Sequence, residues 1–200
     1  MNQIFRKLLV LGCVLILGVG SSLAQEQESP RFSHKGVKVA LGLGGFNNDF
    51  GRELRDGEAA MLSLGYGFND RFTLWLTGIG VEHPQNTVNR SVTDFGGLEL
   101  NLQYKFMPKN RLQPYAKIGV GVYATGEKNS SLIVQGAGFN LGAGLDFFFS
   151  KHFGIGAEVM FKQIEFDKQR VVVSGRDVVT DLPRKIDGES AGFMVTLTIQ

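Results

Sequence analysis

The fold is decided by the stretch Leu98-Glu99-Leu100-Asn101-Leu102-Gln103-Tyr104-Lys105-Phe106, in which apolar and polar residues alternate without a break. Strict alternation predicts a β-strand with its apolar side chains on one face and its polar side chains on the other. Similar alternation recurs through the chain after the first 24 residues, together with seven Gly-x-Gly triplets, at 42/44, 65/67, 78/80, 119/121, 136/138, 142/144 and 154/156. In six of the seven the glycines lie on the polar face.

Eight strands are predicted on this basis, over residues 37–46, 59–68, 72–81, 98–106, 114–124, 132–149, 154–162 and 191–200. Each reaches the roughly 9–11 residues that a tilted strand needs to cross a bilayer. The apolar faces have no other predicted element to pack against. We therefore expect an all-β, eight-stranded antiparallel transmembrane barrel with lipid outside and a tight, polar interior. A β-sandwich, which has a similar periodicity, is the alternative.

Strand three is the exception, because its two faces cannot be assigned from the pattern. Leu74 and Leu76 compete with Trp75, Ile79 and Val81 for the apolar face, and the glycine pair at 78/80 falls on the apparently apolar parity. A β-bulge in this strand would account for both observations.

The connections between the predicted strands alternate in length. Short turns are predicted near Asn69, Lys109 and Lys151, and longer loops over 47–56, 82–90, 127–131 and 167–189. Outer-membrane barrels have short periplasmic turns and longer extracellular loops, so both chain ends are expected on the periplasmic side. An aromatic girdle is predicted at the short turns, formed by Tyr66, Phe68, Phe72, Tyr104, Phe106, Tyr115, Phe147, Phe148, Phe149 and Phe153.

The first 24 residues have the pattern of a secretory signal peptide. Arg6 and Lys7 precede an apolar run, and small residues lead to a predicted cleavage between Ala24 and Gln25. The run is too short for a membrane-spanning helix, and Cys13 lies in its middle rather than at the end where a lipoprotein cysteine would lie. The prediction is a cleaved signal over 1–24, a flexible periplasmic lead over 25–35 and a barrel over 36–200.

Charge and cysteine content exclude several classes of function. The whole chain has 21 basic and 19 acidic residues, and loss of Arg6 and Lys7 with the signal makes the mature chain formally neutral. Nothing in this balance indicates nucleic-acid binding. The one cysteine also leaves with the signal, so no disulfide or thiol chemistry is expected. No residue spacing predicts a metal or cofactor site.

Charged residues on the polar faces form the main candidate site. This lumen charge network comprises Lys38, Glu99, Lys105, Lys117, Asp146, Glu158 and Lys162. An eight-stranded barrel is just wide enough for side chains to fill, and unpaired buried charges are costly. We therefore expect ion pairs that plug the lumen. The alternative is a narrow, gated ion path.

The histidines offer weaker candidates for chemistry. His34 lies in the lead and His152 in a short turn, and neither has a catalytic neighbourhood in sequence. His83, with Glu82, Ser91 and Asp94, lies at the predicted outer rim, where a lipid A-modifying enzyme would act. A Ser–His–acid relay requires direct hydrogen bonds among its members, and the loop-like spacing here matches no such motif. We expect no catalytic residues and no enzymatic activity.

Three segments carry a resemblance to a known family. They are Leu64–Phe72, Pro114–Gly121 and the hairpin from Gly142 to Glu158. They resemble the second hairpin, fifth strand and sixth-to-seventh hairpin of OmpA/OmpX-like and opacity-type outer-membrane β-barrels of Gram-negative bacteria. Family members often end on an aromatic residue that the barrel-insertion machinery reads, whereas this sequence ends Leu197-Thr198-Ile199-Gln200.

The resemblance implies a location and partners. It places a monomeric barrel in the outer membrane of a Gram-negative bacterium, in contact with lipopolysaccharide and other outer-membrane lipids and inserted by the barrel-insertion machinery. It implies a structural or surface-interaction role in which the loops meet an extracellular ligand. A narrow channel or hydrophobic-solute transporter is the alternative, and a lipid A-modifying enzyme is a more remote one.

Overall fold

The computed structural model describes residues 34–50, 57–83, 93–127, 132–173 and 176–200. The predicted signal peptide with its Ala24/Gln25 cleavage site, nearly all of the predicted lead, and most of the first three predicted loops lie outside these residues. Among the residues described, no helix has the length and apolarity needed to cross a bilayer.

Eight antiparallel strands form a closed barrel, which confirms the predicted fold class. In chain order they are β1 (Gly36–Asp49), β2 (Gly57–Gly67), β3 (Phe72–His83), β4 (Thr93–Lys105), β5 (Leu112–Glu127), β6 (Leu132–Phe148), β7 (Phe153–Val173) and β8 (Arg176–Ile199). Each strand pairs with the next, and β8 closes the ring on β1 from Asp49↔Glu189 to Val39↔Ile199. Because closure leaves no sheet edge within the ring, every strand there is hydrogen-bonded to a neighbour on both sides.

Side chains alternate between the outside and the lumen along every strand. Leu41, Leu62, Leu100 and Val120 on the outside are about half exposed, whereas their neighbours in sequence face the lumen. An apolar outer surface and a filled interior are the arrangement of a barrel whose solvent is lipid.

Strand β3 has no bulge within its described pairings, since its registers with β2 and β4 run without a shift. Trp75, Ile79 and Val81 face the lumen, and Leu76 is 45% exposed on the outside. The glycine pair at 78/80 therefore lies on the outer face. The ambiguity in the sequence arose because this strand has apolar residues on both faces.

Glycines on the inner face give space to large side chains that cross the lumen. A Cβ on Gly65 would lie 2.5 Å from the Trp75 ring, one on Gly97 would lie 2.4 Å from the Tyr123 ring, and one on Gly192 would meet the Phe46 ring at 2.4 Å. These contacts are far shorter than van der Waals separation. These three inward glycines, of which Gly65 belongs to a Gly-x-Gly triplet, therefore lie where a neighbouring strand sends a bulky residue inward.

Both described chain ends and the three short turns lie at one end of the barrel, which we call the terminal end; the opposite end is the distal end. At the terminal end an exposed aromatic girdle is present, with Tyr66, Phe68, Phe106, Phe149 and Phe153 each 42–55% exposed. The prediction was wrong for Tyr115 and Phe148, which are buried inside the lumen. Both lie on the inward parity of their strands, which an aromatic count alone does not reveal.

The predicted long loop over 167–189 is replaced largely by strand. Strands β7 and β8 continue far beyond the ring and pair with each other up to Val173↔Arg176. Strand β6 joins them through Leu132↔Val171 to Gln135↔Lys168, with a register shift beside Phe166. We call residues 132–135, 168–173 and 176–182 the distal extension. A loop was predicted over 167–189 because the segment is rich in charged residues, and because its alternation of apolar and polar residues is out of phase with the strand before the bulge.

Candidate functional site

The lumen charge network lies inside the barrel, with all seven side chains buried. The relative exposure of these residues ranges from 0% at Lys162 to 9% at Lys117. Each lies on the inward parity of its strand, which is why the alternation alone located it. The strand pairings then determine which charges meet, and these contacts are not visible in the sequence.

Three ion pairs connect strands that are not neighbours in the ring. Lys105 on β4 contacts Asp146 on β6 at 2.9 Å, and Lys117 on β5 contacts Glu158 on β7 at 2.7 Å. Lys162 on β7 pairs with Glu99 on β4. Since each pair joins inward side chains of non-adjacent strands, the charged groups meet inside the lumen.

Neutral polar groups add hydrogen bonds to two of the three carboxylates, although Oε1 of Glu158 accepts none within the described part of the chain. Tyr115 donates its hydroxyl to Glu158 at 3.0 Å, and Tyr123 donates to Glu99 at 3.2 Å. Lys105 also donates to the Gln113 amide oxygen at 2.8 Å. Buried charges are tolerated when they are paired and hydrogen-bonded in this way.

Lys38 differs from the other three lysines. Its ammonium group donates to the Thr73 hydroxyl at 3.3 Å, and within the described part of the chain it forms no ion pair. The seven network residues thus include one more basic than acidic residue. The lysine without an acidic partner, Lys38, lies at the terminal end of the lumen.

His34 lies at the terminal end and is fully buried, although it belongs to the predicted flexible lead. Its Nδ1 lies 2.8 Å from the Gln200 amide oxygen, and its Nε2 lies 3.0 Å from the Pro108 carbonyl. Its backbone N–H donates to Asp70 at 3.1 Å. Burial, followed by the nearby charges of Lys105 and Lys38, lowers the pKa of His34 to about 4. The sequence offered no signal for this position.

An apolar cluster occupies the distal half of the lumen, so the interior is not polar throughout. It contains Phe46, Ala59, Met61, Ile79, Val81, Phe95, Tyr123, Met160, Ile164, Phe166 and Met194. The prediction of a polar interior is therefore correct only for the part of the lumen between the terminal end and the apolar cluster. The sequence analysis missed the cluster because its members lie on seven different strands and meet only when the ring closes.

A small cavity lies at the level of the ion pairs. An interior cavity of about 20 Å³ lies beside Trp75, Tyr115, Lys117 and Glu158. That volume holds about one water molecule. At this level of the barrel the lumen is therefore occupied largely by its own side chains.

The candidate catalytic group at the rim is not assembled among the described residues. His83 is buried facing the lumen, where Nε2 lies 2.9 Å from the Asn48 amide nitrogen. Glu82 and Asp94 are paired in the ladder and lie on the outer face, and Ser91 lies outside the described residues. His152 lies in the turn between β6 and β7, with Nδ1 2.9 Å from the Gln200 carbonyl oxygen. The described ranges contain no cluster of His, Cys, Asp and Glu suited to a metal ion.

A closed antiparallel ring with an apolar outside, a filled lumen and an aromatic rim defines a membrane-spanning β-barrel. The family model described as outer membrane protein beta-barrel domain matches residues 11–180. The chain belongs to this family, which places it in the outer membrane of Gram-negative bacteria. No curated protein sequence is significantly similar to it.

Solved structures show the same fold at low sequence identity. Neisserial surface protein A is similar with a TM-score of 0.64 and 10% identity, covering 82% of this chain and 97% of that one. The outer membrane protein OprG from Pseudomonas aeruginosa has a TM-score of 0.54 and 17% identity, covering 85% and 98%. The outer membrane protein AlkL, solved in DMPC lipid bilayers, has a TM-score of 0.51 and 12% identity, covering 88% and 96%. These likenesses concern the fold alone.

Proposed function

We propose that the protein is a non-conducting outer-membrane barrel that presents its distal extension to the outside of the cell as a surface for interaction. One observation carries the proposal: the lumen is crossed by three ion pairs and then closed by an apolar cluster. Eight-stranded barrels are just wide enough for such filling, whereas porins with open channels use 16–18 strands. A filled lumen favours the structural and interaction role over the channel or transporter.

The distal extension supplies the surface. Strands β7 and β8 have 21 and 24 residues, well beyond the roughly 9–11 residues that a membrane crossing needs. The residues beyond the ring include an exposed ion pair between Lys185 and Glu165 at 2.7 Å. Charged, exposed strands of this kind belong in water, so the distal end is the extracellular end in this proposal.

The positions of the described rim residues also favour a non-enzymatic role. Among the described residues, His83 faces the lumen while Glu82 and Asp94 lie on the opposite face of the sheet. A hydrolytic relay requires its base and acid in contact. We therefore assign no catalysis to this group.

Labelling of single cysteines in intact cells tests the proposed display. The only cysteine of the chain is Cys13, within the predicted signal. Val179→Cys, in the distal extension, should react with a membrane-impermeant maleimide in intact cells. Lys151→Cys, in a turn at the terminal end, is the matched control and should react only after the outer membrane is permeabilised. Labelling in the reverse order would overturn the proposed orientation and display.

A further inference from the structure

The carboxylate of Asp146, in the lumen charge network, is hydrogen-bonded through only one of its two oxygens. Its Oδ2 accepts a hydrogen bond from the Lys105 ammonium group at 2.9 Å. Its Oδ1 accepts none from the part of the chain that the structure describes. Asp146 is 5% exposed, so bulk water has little access to this carboxylate. A buried oxygen that lacks a donor costs free energy until a donor reaches it.

The hydroxyl group of Thr196 on β8 lies close to this second carboxylate oxygen. A Cβ on Gly156 would lie 2.5 Å from Oδ1 of Asp146 and 2.6 Å from Oγ1 of Thr196. The two oxygens are therefore separated by no more than the sum of these distances, and among the described residues they form no direct hydrogen bond. One water molecule with a hydrogen bond of about 2.8 Å on each side spans such a separation.

The interior cavity of about 20 Å³ adjoins both groups. Asp146 and Thr196 are among the residues that line it, as are Thr198, Trp75 and Tyr115. A cavity holds a water molecule when it offers at least about 10–15 Å³ and two to four polar partners. The volume meets the first condition, and the carboxylate oxygen with the two threonine hydroxyls meets the second.

We propose that this cavity is the binding site of one ordered water molecule, which bridges Asp146 to Thr196. The water donates one hydrogen to Oδ1 of Asp146 and accepts the hydrogen of the Thr196 hydroxyl. It thereby completes the hydrogen bonding of the Lys105–Asp146 ion pair and links that pair to β8, across Gly156 on β7. Buried waters that satisfy polar groups in this way are part of the folded structure. The inference does not depend on the proposed surface role.

Charge favours a water molecule over a metal cation at this position. The Lys105 ammonium group already lies 2.9 Å from the Asp146 carboxylate and balances its charge. The seven buried network residues include four lysines and three acidic residues. A further cation beside Asp146 would be repelled by these ammonium groups in surroundings of low dielectric constant. A neutral water molecule meets the same oxygens without that repulsion.

Two buried threonines provide a matched pair of variants. Thr196→Val removes the proposed hydroxyl partner and keeps nearly the same side-chain shape. Thr77→Val makes the same change on β3, at a residue that does not line the cavity and whose hydroxyl forms a hydrogen bond with Ser63 at 2.9 Å. Both positions are at most 5% exposed, so the two changes differ chiefly in which hydroxyl they remove. Thr196→Ser keeps the hydroxyl and is the conservative variant.

Crystal structures of the wild-type protein and its variants, at a resolution that shows ordered water, test the inference. The wild-type protein, Thr77→Val and Thr196→Ser should each show a density peak within about 3.2 Å of both Oδ1 of Asp146 and the hydroxyl oxygen at position 196. Thr196→Val should show no peak there. A wild-type structure without the peak, or a peak that persists in Thr196→Val, would overturn the proposed bridge.

Distances in the same maps identify what occupies the site. A water molecule lies about 2.8 Å from the oxygens to which it is hydrogen-bonded. A calcium ion would lie at about 2.3–2.6 Å and gather six or more oxygens, and such a peak would overturn the assignment to water. A heat-dependent shift in gel mobility checks that each variant has folded. If Thr196→Val does not fold, the wild-type protein and Thr196→Ser still decide whether the peak is present.

Discussion

Replacing Glu158 with glutamine should destabilise the barrel strongly, because it breaks a buried ion pair while keeping the side chain's shape. Oε2 of Glu158 accepts hydrogen bonds from Lys117 at 2.7 Å and Tyr115 at 3.0 Å, and the side chain of Glu158 is 1% exposed. The neutral amide would leave the Lys117 ammonium without its counter-charge. Removing one partner of a buried pair typically costs about 3–5 kcal/mol.

The assay is urea unfolding in lipid vesicles, followed by the fluorescence of Trp75. This is the only tryptophan of the chain, and in the lumen it donates to Gln103 at 2.9 Å. Glu165→Gln is the control, since it breaks an ion pair with Lys185 whose two side chains are more than half exposed. Exposed pairs contribute at most about 1 kcal/mol. Equal losses in free energy of unfolding for the two variants would refute the account of the lumen.

Removal of both charges shows whether the loss of stability comes from the lost ion pair itself or from the unpaired Lys117 ammonium left in the lumen. The double variant Lys117→Met/Glu158→Leu should recover much of the loss, because an apolar replacement of similar volume leaves no unpaired buried charge. A double variant as unstable as Glu158→Gln would show that packing, and not charge, determines the cost.

Two further predictions concern the outer face and the terminal end. Leu100→Arg should lower the free energy of unfolding by about 2–4 kcal/mol if the position lies near the bilayer midplane, and unchanged stability in vesicles would show that β4 has been assigned to the wrong face. The pKa of His34 is lowered from 6.5 to about 4. As the pH is lowered, His34 is therefore protonated in the unfolded chain before it is protonated in the folded protein. The free energy of unfolding should fall as the pH decreases from about 6.5 to about 4, by up to about 3 kcal/mol. His34→Gln should lack this part of the decline. Identical profiles of unfolding free energy against pH for the wild-type protein and His34→Gln would contradict the buried, neutral His34.

Much of the barrel could be predicted from local alternation. The period of two located all eight strands and the inward positions of the seven charged residues, including Lys38, which makes no ion pair among the described residues. Alternation reports only the face of a strand. The partners of the charges depend on register between strands that are not neighbours, so Lys162 and Glu99, 63 positions apart, could not be paired in advance.

The parts that escaped prediction share a physical cause. The distal extension begins after a bulge beside Phe166, where the alternation changes phase, and its charged outer face looked like a loop. The apolar cluster is built from one to three inward residues on each of seven strands, such as Met61, Ile79 and Met160, which become a cluster only when the ring closes. His34 becomes buried through contacts with Pro108 and Gln200, residues far away in the sequence.

Single-channel recording in planar lipid bilayers tests the filled lumen most directly. The wild-type protein, inserted in its folded form, should give no steady channels on the nanosiemens scale, because the Lys105–Asp146 ion pair and the apolar cluster lie inside the lumen and the interior cavity beside Asp146 has a volume of only about 20 Å³. Glu158→Gln should remain equally silent although it is less stable. Steady nanosiemens-scale channels from the wild-type protein would contradict the closed barrel and favour the transporter.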